Sequence, residues 1–357
     1  MKEYRLIEIA DVIMGQSPSS SSFNDKGDGL PFLQGNRTFG RKYPTFDTYT
    51  TNPTKLASAG DVVMSVRAPV GDLNITPVNM CLGRGVCAIR MKNNNQEYLF
   101  YLLRHYMPQL LKKESGTVFG SVNRNDIGGL IVNIHEEKDQ VKIAKFLAQI
   151  DEKIENNCRI NDNLQQQVFA LFDNLFPNIA YGEKLIGDYI TPKRGKNLLS
   201  KDAVSGEVPV VAGGLNAATY HNVANTTAPV VTISASGANA GFINLWHIPV
   251  WSSDSSYIDF SITSDVLFWY VLLKKRQKEI YDSQTGSAQP HIYPQHIAEM
   301  RIKELNMSCI TEYVAQVTPL FTLMGKNLAE NRRLCAIRDS LLPKLMSGEI
   351  DVYSVEI

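Results

Sequence analysis

Landmark residues in the second half of the 357-residue chain recur about 170 positions after their counterparts in the first. Gly116 in ESGTVFGSVNRNDI lies 170 before Gly286 in SQTGSAQPHIYPQHI, and Ile127/Ile297, Asn157/Asn327, Asn161/Asn331, Leu164/Leu334 and Leu171/Leu341 share that offset. Upstream, AGDVVMSVRAPVG (59–71) aligns with APVVTISASGANAG (228–241) through Ser65 and Ser234, 169 apart. GLPFLQGN (29–36) answers EVPVVAGG (207–214), and Asp11 in IADVIMG answers Asp188 in IGDYITP at an offset of 177, which implies a length difference in the next loop. No single pair is decisive, but the pairs are collinear. Self-similarity at one period means copies of one structural unit, here two of roughly 170 residues.

Each unit has two parts. The first, 1–135 or 183–307, is rich in short β-type runs (VVMSV, GVCAIRM, PVVTISA, SYIDFSI) broken by Gly, Pro, Asn and Ser. One helical stretch interrupts each, YLFYLLRHYMPQLL in the first copy and VLFWYVLLKKRQKEIY in the second. The expected fold class is α+β, with two β-rich domains. Gly237 and Gly241 in SGANAG read as a turn.

The second part, 136–182 or 308–357, is helical. Ile143, Leu147, Ile150, Ile154, Asn157, Asn161, Leu164, Val168, Leu171 and Leu175 are spaced 4,3,4,3 without a break, the a/d seam of a coiled coil. The same register in the second copy reads Tyr313, Val317, Leu320, Met324, Asn327, Asn331, Leu334, Arg338, Leu341 and Leu345. Each copy carries two Asn in mid-seam. A buried amide costs stability but fixes register, because it is satisfied only opposite another hydrogen-bonding group. The two helices are therefore expected to pair, antiparallel, as a rod with a β-rich domain near each end. Residues Ile150, Ile154, Asn157, Asn161, Leu164, Leu320, Met324, Asn327, Asn331 and Leu334 are the expected pairing set. Pro319, with Thr318 before it as an N-cap, predicts that the second helix starts or kinks there.

Several classes are disfavoured. The apolar fraction of 44% and charged fraction of 20% are those of a globular protein, with 36 basic and 36 acidic residues in balance. MKEYRLIEIADVIMGQ lacks the apolar core of a signal peptide. The longest clean apolar run, Val266 to Leu273, falls far short of the roughly 20 residues that span a bilayer. Five cysteines (Cys81, Cys87, Cys158, Cys309, Cys335) without CxxC spacing argue against a disulfide framework or structural zinc. A protein of the reducing cytoplasm, without membrane, is expected. Chemistry is hard to find as well. GxxxxGK[ST], a strand-to-helix GxGxxG, HExxH and Gly-x-Ser-x-Gly are all missing. So are the Asn-Pro-Pro-aromatic loop of amino-methyltransferases and a glycine loop for S-adenosylmethionine. Asp151, Glu152 and Lys153 read as the solvated face of the helix rather than a nuclease site. A catalytic role is not expected.

Charge by segment is more informative. Residues 1–135 hold 15 basic and 11 acidic side chains, 136–182 hold 5 and 8, 183–307 hold 11 of each, and 308–357 hold 5 and 6. The first β-rich part is thus basic, and in the second the basic residues bunch as KRGK (193–196) and KKRQK (274–278). Polar and basic residues crowd the Gly-rich loops. Arg, Asn and Gln are the side chains that make paired hydrogen bonds to base edges, although a solvated loop shows the same residue types.

The motifs GDVVMSVRAPVG (60–71), SGTVFGSVNRNDIGGLIV (115–132), VKIAKFLAQIDEKIENNCRINDNLQQ (141–166) and ENRRLCAIRDSLLPKLMSGEI (330–350) resemble the specificity (S) subunit of type I restriction-modification systems. The resemblance covers the whole chain in that family's order. It implies target-recognition domain 1 at 1–135, conserved spacer helix 1 at 136–182, target-recognition domain 2 at 183–307 and conserved spacer helix 2 at 308–357. The second copy departs from the first, with SASGANAG for SVRAPVG and TGSAQPHIYPQHI for SGTVFGSVNRNDI. That fits two domains reading different sequences. The resemblance implies that each domain reads half of an interrupted site in double-stranded DNA. The helices set the spacing and dock two methyltransferase (M) subunits, which bind S-adenosylmethionine and methylate adenine. Restriction (R) subunits add cleavage dependent on ATP and Mg, and this chain itself holds no cofactor.

The expected DNA-binding residues are Gln34, Asn36, Arg37, Arg67, Arg84, Ser115, Thr117, Asn123 and Arg124 in the first copy. In the second they are Lys193, Arg194, Lys196, Ser236, Asn239, Thr285, Gln289 and His291. Two other classes compete: a stand-alone DNA methyltransferase or nuclease with unrecognised motifs, and a coiled-coil scaffold binding protein or sugar.

Overall fold

The computed structural model of the chain describes residues 1–112, 120–286 and 289–354. It divides into two compact units, Met1–Asn156 with Glu330–Ile357, and Asn157–Ala329. These units do not follow the domain and helix boundaries read from the sequence. Each takes one β-rich domain together with half of each long helix.

The two units share one topology. In the first, a four-stranded antiparallel sheet runs in the order Ala10–Met14, Val86–Met91, Val62–Ser65, Leu73–Ile75. In the second, the order is Lys193–Arg194, Ser255–Ile258, Val230–Ser234, Ile243–Trp246. Both follow the chain order first, fourth, second, third. Beside each lies a second sheet, of five strands in the first unit and three in the second, that contains one parallel pair, Leu30–Leu33 with Met80–Leu82 and Val208–Val211 with Trp251–Ser252. A short opening strand in each unit pairs with the strand that precedes a long helix: Lys2–Arg5 with Ile131–Ile134, and Lys184–Leu185 with Arg301–Ile302.

The central strands VVMS and VVTIS are buried at every position. That explains their continuous rather than alternating apolar pattern, which strands covered on both faces require. In the second unit the helix Val266–Lys275 is buried from Val266 through Leu273. A helix apolar all round must be enclosed. Phe268 lies 5.6 Å from the ring of Phe172 and 6.5 Å from that of Tyr313, so sheet, inner helix and long-helix segments form one core. The run VLFWYVLLKKRQKEIY is two helices, Val266–Lys275 and Gln277–Asp282, broken at Arg276.

The long helices span Glu137–Leu175 and Met307–Ser347. In the first unit their segments run antiparallel: Arg338 Nη1 is 2.6 Å from Asp151, Lys153 Nζ is 3.4 Å from Glu330, and the Asn331 amide donates to the Ile154 carbonyl at 3.5 Å. In the second unit the Asn327 amide donates to Asn161 Oδ1 at 2.8 Å, Asn161 Nδ2 to the Met324 carbonyl at 3.3 Å, and Tyr313 hydroxyl to the Val168 carbonyl at 3.2 Å. Ile150, Ile154, Asn157, Leu164, Met324, Asn327 and Asn331 are buried, while Asn161, Leu320 and Leu334 are half-buried. Phe172, Phe321 and Leu342 are buried one residue beyond Leu171, Leu320 and Leu341, while Tyr313, Val317 and Leu345 are buried in register.

The second long helix does not start at Pro319. It runs through, and Thr318, expected as an N-cap, donates its hydroxyl back to the Val314 carbonyl at 2.6 Å. Buried Tyr313 and Val317 before the proline and Phe321 after it hold both sides in one helix despite the missing donor. The helix ends at Gly348, whose φ of +75° suits the left-handed position after a C-terminus.

Candidate nucleic-acid interface

In the first unit, four segments far apart in sequence meet at one sheet end. Gly85 N–H donates to the Gln34 carbonyl at 3.0 Å, Val66 N–H to the Gly85 carbonyl at 2.9 Å, and Val122 N–H to the Val66 carbonyl at 3.1 Å. Arg67 and Ser121 form a β-bridge. This lattice gathers Gln34, Arg67, Arg84, Asn123 and Arg124 along one loop cluster. The loop 65–72 is closed by Ser65, whose hydroxyl donates to the Pro69 carbonyl at 2.8 Å and accepts from Asp72 N–H at 2.9 Å.

The candidate side chains there differ in what they have left to offer. Arg67, Arg84 and Arg124 are exposed, and among the described residues no carboxylate pairs with them. Arg37 is paired with Asp47 at 2.8 Å. That hydrogen bond pushes the guanidinium pKa up, and it holds Asp47 below the usual carboxylate range, helped by Thr48. Gln34 Oε1 accepts from Ser17 hydroxyl at 2.8 Å, and Asn36 Nδ2 donates to Asp72 at 2.5 Å. Asn123 caps the helix Arg124–Gly128, accepting from Asn125 and Asp126 N–H, so its carbonyl oxygen is occupied. Ser115 and Thr117 lie outside the described residues.

The second unit repeats the lattice with other side chains. Ala235 N–H donates to the Asp254 carbonyl at 3.1 Å and Ile292 N–H to the Ala235 carbonyl at 2.9 Å. Ser236 and His291 form the β-bridge equivalent to Arg67 and Ser121, and Thr285 bridges His291 in turn. Asp254 is the centre of the polar cluster: Arg194 Nη2 lies 2.5 Å from its carboxylate and Ser236 hydroxyl hydrogen-bonds its other oxygen. Lys193 donates to Ser261 hydroxyl at 3.2 Å, and Lys196 is exposed with its carbonyl accepting from Trp251 Nε1 at 2.8 Å. Asn239 lies in the loop between Ser236 and Gly241, half-buried, and Gln289 is exposed. His291 stacks on Tyr293 at 5.9 Å.

Some of the basic residues noted in the sequence lie elsewhere. Lys274 is half-buried over the Phe242 ring and bonded to the Ile243 carbonyl at 2.9 Å, and burial pushes its pKa down. Lys275 pairs with Asp173 at 2.8 Å, and buried Arg276 takes Glu279 at 2.6 Å and the Arg301 carbonyl at 2.8 Å. KKRQK is thus mostly a structural cluster. What sequence reasoning missed were the acidic partners Asp47, Asp72 and Asp254, and the aromatic Tyr293. Their only sequence signal is proximity to the Gly-rich loops.

Residues 1–166 match the family described as the type I restriction modification DNA specificity domain. Over 401 aligned residues the chain is 22% identical to the type I restriction enzyme MjaIX specificity subunit of Methanocaldococcus jannaschii, covering 98% of this chain and 93% of that one. The first 166 residues thus carry a type I restriction modification DNA specificity domain. Over 172 residues it is 37% identical to a putative MjaX specificity subunit of the same organism, a match that spans 46% of this chain and only 40% of that relative's length. The crystal structure of a type I restriction-modification S subunit from M. genitalium superposes with a TM-score of 0.65 at 18% identity, over 97% of this chain and 96% of that one. That specificity subunit therefore shares the fold. No helix among the described residues is long and apolar enough to cross a membrane.

Proposed function

We propose that the chain is the non-catalytic, sequence-reading subunit of a type I restriction-modification complex, and that its two β-rich domains each read one half of an interrupted site in double-stranded DNA. The observation that carries this reading is the repeated loop lattice: one backbone frame presents Arg67 and Ser121 in the first unit and Ser236 and His291 in the second. Matching frames with different side chains are what two different half-sites call for, because backbone positions the reader and side chains specify the base. Each long helix lies half in one unit and half in the other, so its residue count enters the spacing between half-sites. In this reading the helix exteriors dock two M subunits, which carry S-adenosylmethionine and methylate adenine. R subunits bring ATP and Mg, this chain holds no cofactor, and the complex works in the cytoplasm.

The test is to express the chain with an M subunit that co-purifies with it and to map adenine methylation by single-molecule sequencing. A bipartite motif that disappears when this chain is omitted is the expected result. Methylation independent of the chain, or S-adenosylmethionine binding by the chain alone, would overturn the reading.

A further inference from the structure

We infer that Arg84 is a guanine-reading, specificity-determining side chain of the first unit, an inference that rests on the DNA-reading function proposed above. The two loop lattices can be superimposed bond by bond. In the first unit Gln16 N–H donates to the Leu82 carbonyl at 2.9 Å, Gly83 N–H to Leu33 at 2.8 Å, Val66 N–H to Gly85 at 2.9 Å and Gly15 N–H to Val86 at 3.0 Å. In the second unit Lys196 N–H donates to Ser252 at 2.9 Å, Ser253 N–H to Val211 at 2.8 Å, Ala235 N–H to Asp254 at 3.1 Å and Gly195 N–H to Ser255 at 2.8 Å. Leu82, Gly83, Gly85 and Val86 therefore answer Ser252, Ser253, Asp254 and Ser255. Arg84 has no counterpart. It is a one-residue insertion at the tip of the loop cluster.

The insertion is held rigidly at its base and left open at its end. A methyl on Gly83 would sit 2.7 Å from Gln34 Cα, and one on Gly85 would sit 2.3 Å from the Gln34 carbonyl oxygen, so both flanking positions press against backbone. Between them the Arg84 N–H donates to Ser17 hydroxyl at 3.2 Å. The side chain is exposed, and among the described residues its guanidinium has no partner. Arg37 and Arg194, by contrast, are each tied to a carboxylate. Guanine presents O6 and N7 to the major groove, two acceptors that match the parallel donors of an arginine fork. A backbone held in place and a fork not taken by a carboxylate leave Arg84 able to make this paired contact. Because the second unit has no such residue at that tip and carries the paired Asp254 beside it, the requirement falls on one half-site only.

The experiment measures binding of the complex of this chain with its M subunit to duplexes in which each base pair of the recognised site is replaced in turn. Wild type should prefer guanine at one position of one half-site. R84A should abolish that preference, a loss on the order of 10- to 100-fold for a bidentate contact, and leave the other half-site's preferences unchanged. R84K keeps the charge but not the fork, so it should retain affinity for unrelated duplexes while losing the same preference. Unchanged preferences at every position in R84A would overturn the inference. So would an equal weakening on all duplexes with a shallower salt dependence, the signature of a phosphate contact. If the wild-type complex discriminates at no base pair, the proposed function fails instead.

Discussion

Arg338 occupies a seam position where the first helix carries Val168, and the reason is its partner. Its guanidinium lies 2.6 Å from Asp151, both side chains are only 10% exposed, and Asp151 also accepts from Tyr101 hydroxyl at 2.6 Å. Removing one member of such a pair strands a buried charge. R338A should lower unfolding free energy by about 3–5 kcal/mol, whereas R338M with D151L should recover most of that loss; chemical denaturation checks both. A second residue-level effect comes from His105 and His135, whose pKa values burial pushes below the ordinary 6.5. Each takes up its proton at a lower pH in the folded chain than in the unfolded chain. Their contribution to stability is therefore complete above pH 6.5 and is lost as pH falls through and below it. Unfolding measured between about pH 8 and pH 5 should show declining stability on the acid side, and H135Q should flatten the decline if it folds with the Tyr98 contact kept. The candidate arginines divide at this scale too: those with carboxylate partners look no different in sequence from those without.

The long helices show how a few polar atoms set the pairing of a largely apolar seam. Asn327 donates to Asn161 at 2.8 Å within the second unit, one turn from the Met324 carbonyl that Asn161 itself reaches at 3.3 Å. N327L leaves the Asn161 oxygen without that donor in a partly buried site and should cost about 1–3 kcal/mol. N161L with N327L removes both polar groups and should regain that loss, giving a large coupling in a double-mutant cycle. Additive costs would show that the amide pair is not a unit. The seam itself was legible from its 4,3 spacing alone, including the Asn positions. The continuity of the helix through Pro319 was not, because the apolar contacts that override a proline's missing donor come from elsewhere in the fold.

At the scale of the molecule, the compact units are not the segments a reader would cut from the sequence. One is continuous, Asn157–Ala329, and the other needs both ends of the chain. The continuous unit has its own core, in which Phe172, Phe268 and Tyr313 join two helix segments to the sheet residues Val231, Ile233 and Ile258. A fragment of residues 157–329 should therefore unfold in one cooperative transition by circular dichroism. A fragment of residues 183–307, the β-rich part alone, should not, because it lacks the helix segments that cover Phe268. If both fragments unfold with equal cooperativity, the helix segments are not integral to that core.

The sequence by itself determined the repeat, the β-rich character of each copy and the two long helices, because those follow from hydrophobic period and turn residues, which are properties of neighbouring positions along the chain. It also nominated the loops that carry Arg67 and Arg84. Only the tertiary structure decided which loop side chains share an edge, since that edge is made by hydrogen bonds joining residues 34, 66, 85 and 122. It decided as well that Asp47 occupies Arg37 and Asp254 occupies Arg194 while Arg67 and Arg84 stay open. A charge is compensated by whatever lies a few ångströms away in space, and no local pattern along the chain records that distance.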